Sequence, residues 1–282
     1  MAEDVDVGQS CLSPTEFRRL AAFINGYSGI KMPPSKRVMV EGRLRKRLRS
    51  VGFDDFHSYC HYLFEEGGLD DEAVHIIDAV TTNKTEFFRE GEHFQFLFQV
   101  ALPDLVSERR APSLKFWSAA CSLGAEPYTL AMVVEEFARA RGEMRYSILA
   151  TDLCTEVLDH AASAIYPEEA VAPVPMAMRR RYLLRSHDPA LRQVRIAPEL
   201  RRQVRFARLN LMDPSYPVER GFDAIFCRNV LIYFSRQDQE AVLLRLCGHL
   251  VDGGYLFLGH SETTSGMSLP LKAVGPTSFK KV

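Results

Sequence analysis

The 282-residue sequence has no apolar run that approaches the roughly 20 residues needed to span a bilayer, so we expect no direct membrane insertion. Its N-terminus is acidic and lacks the basic and apolar regions of a signal peptide, which favours a cytoplasmic protein. The six cysteines form no C-x-x-C pair, and five of them lie in apolar or helical patterns. We interpret them as buried free thiols in a reducing compartment.

Several ligand-binding motifs are also missing. The chain has no G-x-G-x-x-G fingerprint for a dinucleotide and no G-x-x-x-x-G-K-[ST] loop for a nucleoside triphosphate. Its eight histidines form no H-E-x-x-H motif, and we expect no metal site. The formal net charge is −1, which argues against a general nucleic-acid binder.

The pattern of apolar residues divides the chain into two parts. Residues 1–80 are predicted to form a small all-helical domain, whose first helix opens with a capping box at residues 13–16. Within 94–282, strands and helices alternate, which predicts an α/β fold with a doubly wound parallel sheet covered on both faces. A stretch rich in proline and arginine, about 167–203, interrupts the alternation and is interpreted as an inserted subdomain. Residues 81–93 connect the two parts without the glycine, serine and proline of a flexible linker.

Six strands are predicted in the second part, the last of them at the edge of the sheet. They are Leu114–Ala119, Tyr146–Thr151, Val204–Leu209, Phe222–Cys227, Tyr255–Gly259 and Ser278–Val282.

The first of these strands leads into a glycine turn at Gly124 and then into a helix from Pro127. This order of elements forms a cofactor crevice in α/β folds, and a residue without Cβ lets a ligand approach the backbone. Asp152 ends the second strand, where it could accept both hydroxyls of a ribose or cap the next helix. Asn210 and Leu211 follow the third strand and could enclose an adenine. Without a phosphate-binding loop, S-adenosylmethionine is the cofactor that fits this pattern.

The predicted second helix is strongly basic. Between Lys36 and Arg49, seven bases accompany the single acid Glu41, in a chain that is otherwise neutral. Two interpretations stay open, because such a run forms either a solvated helix face or a docking surface for an acidic partner.

The segment Gly259-His260-Ser261-Glu262 brings a histidine, a serine and an acid together. Adjacent residues do not reach the geometry of a hydrolase triad. We therefore interpret the segment as a turn at the end of a strand.

Six motifs occur together and in order along the chain. They are Thr81-Thr82-Asn83-x-Thr85-x-Phe87-Phe88-Arg89, Gly124-x-Glu126-Pro127-Tyr128, Ala150-Thr151-Asp152, Asn210-Leu211, Phe222-Asp223-x-Ile225-Phe226-Cys227-Arg228-Asn229-Val230-x-Ile232-Tyr233-Phe234 and Gly259-His260-Ser261-Glu262. This combination resembles the chemotaxis receptor methyltransferase family, CheR, and the resemblance extends over nearly the whole chain.

The resemblance implies a protein-glutamate O-methyltransferase, which esterifies glutamates of chemoreceptors with S-adenosyl-L-methionine and releases S-adenosyl-L-homocysteine. It also implies that the all-helical domain docks on the cytoplasmic domain of the receptor, and we expect the enzyme to act as a monomer. The family's partner contacts correspond to Lys36, Arg43 and Arg47 in the basic helix.

The family's cofactor site is carried over residue by residue. Tyr233 corresponds to the wall beside the transferred methyl group, as the expected catalytic residue. The residues expected to hold the cofactor are Asn83, Thr85 and Arg89 from the connecting segment, Glu126 at the amino end, Asp152 at the ribose, Asn210 and Leu211 at the adenine, and Arg228 and Asn229 beneath it.

The sequence departs from the family in two places. Residues 124–129 read Gly-Ala-Glu-Pro-Tyr-Thr, where the family usually has Gly-Glu-Glu-Pro-Tyr-Ser. The loop 186–190 lacks the glycines of members that bind a receptor's C-terminal tether peptide, so we expect no tether binding.

Two other functions stay open. The same fold could serve as a non-catalytic module that senses the cofactor or acts as a scaffold in a signalling assembly. The second open function is methylation of a small molecule or nucleic acid. The chain lacks the Asn/Asp-Pro-Pro-Tyr motif of amino-group nucleic-acid methyltransferases.

Overall fold

The computed structural model describes residues 11–107, 113–142 and 144–282. The chain separates into two compact units, Met1–Thr82 and Asn83–Val282. None of the six cysteines, all of which lie in the described ranges, forms a disulfide, and all except Cys11 are buried. Within the described part of the chain, no helix is both long and apolar enough to cross a bilayer.

The first unit is a helical bundle whose helices bury one apolar stripe each, as the 3.6-residue spacing predicts. Helix α1 begins at the predicted capping box, in which the Ser13 hydroxyl accepts from the Glu16 N–H and the Glu16 carboxylate accepts from the Ser13 N–H. Leu20, Leu44 and Ile76 are among the residues without exposed surface in the core of this unit. Among residues 11–82, the α-helices are α1 Pro14–Ser28, α2 Arg37–Ser50, α3 Phe56–Glu65 and α4 Leu69–Val80.

Two helix starts in this unit differ from the prediction. The apolar spacing of the sequence predicts that the second helix starts near Ser35, but a 3₁₀ turn, Pro34–Lys36, comes first and α2 begins at Arg37. The same spacing predicts that the third helix starts at Phe53. Helix α3 begins at Phe56 instead, because the Asp55 side chain accepts from the Ser58 N–H at 2.8 Å and caps the helix there.

The second unit contains a seven-stranded sheet with the order β6-β2-β1-β7-β8-β10-β9. The first five strands in this order, β6, β2, β1, β7 and β8, pair in parallel. Strand β10 pairs antiparallel with both β8 and β9. All six residues of β7 are buried, as expected for a strand covered on both faces. The sheet strands are β1 Ser113–Ala119, β2 Arg145–Asp152, β6 Val204–Arg208, β7 Phe222–Cys227, β8 Leu250–Leu258, β9 Leu271–Gly275 and β10 Ser278–Lys281.

This topology confirms the predicted doubly wound α/β fold and places a switch point between β1 and β7. The chain winds outward from β1 through β2 to β6, and then returns to the other side of β1. The connections that leave the carboxyl ends of β1 and β7 therefore run in opposite directions and leave a crevice between them, which is where open α/β sheets bind ligands. The helices of this unit are α5 Glu92–Phe96, α6 Leu102–Val106, α7 Ala125–Arg141, α8 Thr155–Ser163, α9 Met176–Tyr182, α10 Pro198–Arg201 and α11 Arg236–Cys247.

The last predicted strand was wrongly placed at the sheet edge. It forms β10, which lies between β8 and β9, so that β9 is the edge strand. Sequence patterning missed β9 because its exposed residues do not alternate with buried ones.

The interrupting stretch forms a small antiparallel sheet with the order β3-β5-β4. Its strands are β3 Ile165–Pro167, β4 Leu183–Arg185 and β5 Gln193–Ile196. The apolar spacing of the sequence predicts one helix from Phe94 to Leu105, but a π-helical turn at Leu97–Ala101 interrupts it. Pro103 follows this turn and lacks the N–H that would continue the α-helical ladder.

Candidate active site

The loop after β1 has an unusual backbone conformation. Ala120, Ser122 and Gly124 have positive φ angles of 62°, 51° and 88°. A Cβ on Gly124 would lie 2.7 Å from the Ala161 Cβ and 2.8 Å from the Tyr166 hydroxyl. The glycine is thus required by its φ angle and by packing, whereas the sequence had suggested close approach of a ligand. Non-glycine residues with positive φ store strain and cluster at functional sites.

Asp152 lies at the carboxyl end of β2, next to this loop. Its Oδ2 accepts from the Ser122 N–H at 2.8 Å, and its Oδ1 accepts from the Cys154 N–H at 3.0 Å. The alternative role as a helix cap is wrong, because Cys154 is the N-cap residue of α8. The carboxylate instead joins the loops after β1 and β2, in a fixed orientation at the crevice.

Three hydrogen bonds attach the segment between the helical bundle and α5 to the loops after β1 and β7 and to α7. The carbonyl of Asn83 accepts from the Ser122 hydroxyl at 3.1 Å. The N–H of Phe88 donates to the Thr129 hydroxyl of α7 at 3.1 Å. The carbonyl of Arg89 accepts from Arg228 at 2.5 Å. These bonds explain how a segment without the composition of a flexible linker is held along the crevice.

Arg228 follows β7 and forms the centre of a buried ion network. Its Nη1 donates to the Glu126 Oε2 at 3.0 Å, and its Nη2 donates to the Glu90 Oε2 at 2.9 Å. The Ser118 hydroxyl donates to the other oxygen of Glu126 at 2.7 Å, and the Asn229 amide donates to the other oxygen of Glu90 at 3.0 Å. Only 2% of the Arg228 side chain is exposed. The network joins the connecting segment, α7 and the loop after β7.

Glu90 is a site residue that the sequence reasoning missed. Burial acts to raise its pKa, but the hydrogen bond from Asn229 and the charge of Arg228 lower that pKa to about 2. The carboxyl group is therefore ionised at any physiological pH. Its position directly after the Thr81–Arg89 motif was the signal in the sequence that could have identified it.

Glu90 also lies near two histidines, His93 and His260, and one ligand atom of each of the three lies within 4.8 Å of the others. Arg228 already supplies a positive charge to Glu90. Burial and the charge of Arg228 lower the pKa of His93 to about 4, so that its imidazole is neutral at pH 7. We therefore interpret the three residues as part of the ion network.

The charges at the crevice fit S-adenosylmethionine. Glu90, Glu126 and Asp152 carry three negative charges, and Arg228 carries the compensating positive charge within the network. The remaining negative charge suits a ligand that carries a sulfonium and an ammonium group. The loops after β1 and β2 contain no glycine-rich cradle for a pyrophosphate.

Two other predicted cofactor residues lie at the same edge of the sheet. Asn210 and Leu211 are buried after β6, and the Leu209 N–H donates to the Asp152 carbonyl at 2.9 Å. The Asn210 side chain accepts from the Met212 N–H at 3.0 Å and so closes its own turn. Thr85 is half-buried in the connecting segment.

Two predicted residues lie nearer the surface of the site. Arg89 is partly exposed, and its guanidinium donates to the Lys84 carbonyl at 3.1 Å. Tyr233 ends the 3₁₀ turn Leu231–Tyr233 after β7 and is partly exposed.

The predicted partner residues lie in the helical bundle. Lys36 is exposed, as expected for a docking contact. Arg43 donates to the carbonyls of Val80 and Thr81 at 2.8 and 2.7 Å, and so satisfies the end of α4.

Arg47 likewise has an internal partner. It forms a bidentate pair with buried Glu72, at 2.8 and 2.6 Å, and Tyr59 donates to the same carboxylate. Arg43 and Arg47 thus have structural contacts in addition to any contact with a partner. Lys46 and Arg49 are exposed bases on the same helix.

Comparison with known proteins gives matches along both units. The family description "CheR methyltransferase, all-alpha domain" matches residues 15–81, and "CheR methyltransferase, SAM binding domain" matches residues 83–279. The chain is 40% identical to a chemotaxis protein methyltransferase of Escherichia coli K12, over 95% of this chain and 91% of that protein. It is 35% identical to one from Borreliella burgdorferi, over 96% of this chain and 95% of that protein. It is 39% identical to one from Salmonella typhimurium, over 95% of this chain and 90% of that protein. The chain therefore belongs to the CheR methyltransferase family and combines its all-helical domain with its S-adenosylmethionine-binding methyltransferase domain.

Proposed function

We propose that this enzyme transfers the methyl group of S-adenosylmethionine to glutamate side chains of chemoreceptors and forms glutamate methyl esters. The proposal is supported by relatives of nearly full length that are named chemotaxis protein methyltransferases. The structural observation that carries it is the network of Arg228 with Glu90 and Glu126, which lies at the sheet edge that also holds Asp152.

A glutamate acceptor explains why the site needs no general base. A free glutamate has a pKa of about 4.3 and is already a carboxylate at neutral pH. When bound, S-adenosylmethionine supplies an electrophilic methyl group on a positively charged sulfur. The attacking carboxylate and the sulfonium lose their opposite charges as the new O–C bond forms and the S–C bond breaks. Water stabilises the separated charges more than the transition state, so exclusion of water and alignment provide the acceleration.

The residues of this chain divide that work between them. Asp152 would hold the ribose, Glu126 the amino end, and Asn210 with Leu211 the adenine. Asn83, Thr85 and Arg89 would cover the cofactor from the connecting segment, while Arg228 and Asn229 support it from below. Tyr233 would line the path of the methyl group and exclude water.

The helical bundle would bring the enzyme to its substrate. The exposed bases on α2 and before it, Lys36, Lys46 and Arg49, form a surface that suits the acidic cytoplasmic domain of a receptor. We further propose that the enzyme acts in the cytoplasm as a monomer.

Transfer of a labelled methyl group tests this proposal. The enzyme is incubated with methyl-labelled S-adenosylmethionine and membranes that contain chemoreceptors. We expect label in the receptor that mild base releases, because esters hydrolyse under these conditions. Cofactor binding without transfer to receptors would support the alternative of a sensing or scaffolding module and contradict the proposal.

A further inference from the structure

The segment Gly259–Glu262 has a more specific structure than the simple turn expected from its sequence. Glu262 is buried, with 6% of its surface exposed, and its own N–H donates to the Gly259 carbonyl at 2.9 Å. Its carboxylate Oε1 accepts from the N–H groups of Val230 and Leu231, at 2.9 and 2.8 Å. Its Oε2 accepts from the N–H groups of Asn229 and Gly259, at 3.1 and 2.6 Å.

Three of these four donors are consecutive residues of the loop after β7. Their N–H groups all donate to the Glu262 carboxylate, which is the arrangement of a backbone nest that binds anions. In this chain an internal carboxylate occupies the nest. An ionised carboxylate accepts at both oxygens and has no donor of its own, so it matches two N–H groups on each oxygen.

Asn229 is held tightly in this arrangement. Its φ angle of 58° is uncommon for a residue with a side chain. A Cβ on Gly259 would lie 2.6 Å from the Asn229 Nδ2 and 2.8 Å from its backbone nitrogen, so the end of β8 lies directly against this residue. The conformation at Asn229 is therefore fixed from two sides, by Glu262 and by Gly259.

The fixed loop begins with Arg228 and ends in the 3₁₀ turn that carries Tyr233. We propose that Glu262 is a positioning residue, which holds Arg228–Tyr233 in the conformation that cofactor binding and methyl transfer require. This inference rests on the proposed function, since it assigns Arg228, Asn229 and Tyr233 to that reaction. Glu262 acts through the backbone of the loop and takes no direct part in the transfer.

The substitution Glu262→Gln tests this role with little change of shape. Gln replaces one carboxylate oxygen by an NH₂ group, which cannot accept a hydrogen bond. Two of the four backbone N–H groups would therefore lose their acceptor. Glu240→Gln is the matched control, because Glu240 also accepts from a backbone N–H, that of Ser268 at 2.8 Å, but at a partly exposed position on α11. Glu262→Asp replaces Glu262→Gln if the latter does not fold, since it retains the charge but shortens the reach.

Hydrogen exchange and cofactor binding are measured on each full-length variant. In Glu262→Gln we expect faster exchange of the amides of residues 229–231, and affinity for S-adenosylhomocysteine lowered at least about tenfold, which corresponds to about 1.4 kcal/mol. The KM for the cofactor should rise while the KM for the receptor stays within about twofold, because the loop holds the cofactor side of the site. Glu240→Gln should match the unsubstituted enzyme.

Three results would overturn the inference. They are unchanged exchange at residues 229–231, an equal increase in exchange throughout the sheet, and unchanged cofactor affinity despite a loosened loop. Failure of the proposed function is distinguishable from these. In that case the unsubstituted enzyme would not methylate receptors, while Glu262→Gln would still loosen the loop and weaken S-adenosylhomocysteine binding.

Discussion

The Nη1 of Arg228 lies 3.0 Å from the Oε2 of Glu126, a residue 102 positions earlier in the chain. This ion pair joins the start of α7 to the loop after β7, across the switch point of the sheet. With Glu90 as a second carboxylate partner, Arg228 also fixes the connecting segment. Replacing one member of a buried pair is costly, since it leaves an uncompensated charge. The ion network therefore holds three segments of the chain together at the crevice.

Asp152 provides a direct test of the cofactor site. In Asp152→Asn we expect affinity for S-adenosylhomocysteine to fall at least about tenfold, because hydrogen bonds to a charged group contribute about 1.5–3 kcal/mol each. Isothermal titration calorimetry measures the change. Asp159→Asn, at an exposed position on α8, is the control and should bind as the unsubstituted enzyme does. Unchanged affinity in Asp152→Asn would show that the ribose is placed wrongly.

Thr129 tests whether the connecting segment must be attached to α7. Thr129→Val has nearly the same shape but removes the hydroxyl that accepts from the Phe88 N–H. We expect it to weaken cofactor binding roughly 5- to 150-fold, as an unsatisfied backbone N–H costs about 1–3 kcal/mol.

Thr129→Ser is the matched variant, because it keeps the hydroxyl. Its affinity for S-adenosylhomocysteine, measured in the same way, should stay within about twofold of the original. Equal affinities of the valine and serine variants would contradict the proposed role of this attachment.

His93 should make the stability of the enzyme depend on pH. Burial, the charge of Arg228 and nearby His260 lower its pKa to about 4 from an ordinary value of 6.5, although Glu90 opposes this shift. Between pH 6.5 and pH 4 the unfolded chain binds a proton that the folded chain does not. Stability therefore falls as the pH is lowered through this range, by up to about 3 kcal/mol for this group.

The substitution His93→Gln isolates that contribution, since Gln can still hydrogen-bond to the Thr277 hydroxyl. Urea unfolding at several pH values in this range gives the free energy of unfolding for both forms. As the pH is lowered from 6.5 to 4, the free energy of unfolding should fall less for His93→Gln than for the unsubstituted enzyme. Parallel curves would mean that His93 is not buried in its neutral form.

Receptor docking is predicted to depend on the exposed bases of the helical bundle. Changing Lys36, Lys46 and Arg49 to Glu together should lower receptor methylation at least about tenfold, through loss of electrostatic attraction. Affinity for S-adenosylhomocysteine should not change. Equal turnover of receptor by both forms would exclude this surface.

The predicted docking contacts of Arg43 and Arg47 require a separate test, because both arginines also have partners within the helical bundle. Arg47→Glu would place a second negative charge beside buried Glu72, and Arg43→Glu would leave the end of α4 without its donor. We expect both changes to lower the melting temperature as well as any receptor methylation. Methylation that falls without loss of stability would support direct contact of these two arginines with the receptor.

The sequence predicted the sheet well because its parallel strands are short apolar runs between helical patterns. β7 was located residue for residue, since all of its side chains are buried. Exposed edge strand β9 and the start of α3 were not predicted correctly, because local hydrophobicity determines neither. The Asp55 cap and the pairing of β9 with β10 determine them instead.

The candidate site was only partly accessible from sequence. Motifs identified Asp152, Glu126 and Arg228, but nothing in the sequence paired Glu126 with Arg228 across 102 positions. Helical spacing predicted the apolar face of α2 but not the partners of Arg43 and Arg47, which lie on or after α4. The role of Glu262 depends on four backbone donors, three of which lie about 30 residues earlier.

Mass spectrometry of receptor peptides tests the central proposal most directly. The enzyme is incubated with S-adenosylmethionine and the cytoplasmic domain of a chemoreceptor, and the digested receptor is compared with a sample that lacks enzyme. We predict one added methyl group on specific glutamate side chains, lost again under mild base. An unmodified receptor, or methyl groups found only on nitrogen atoms, would contradict the proposal.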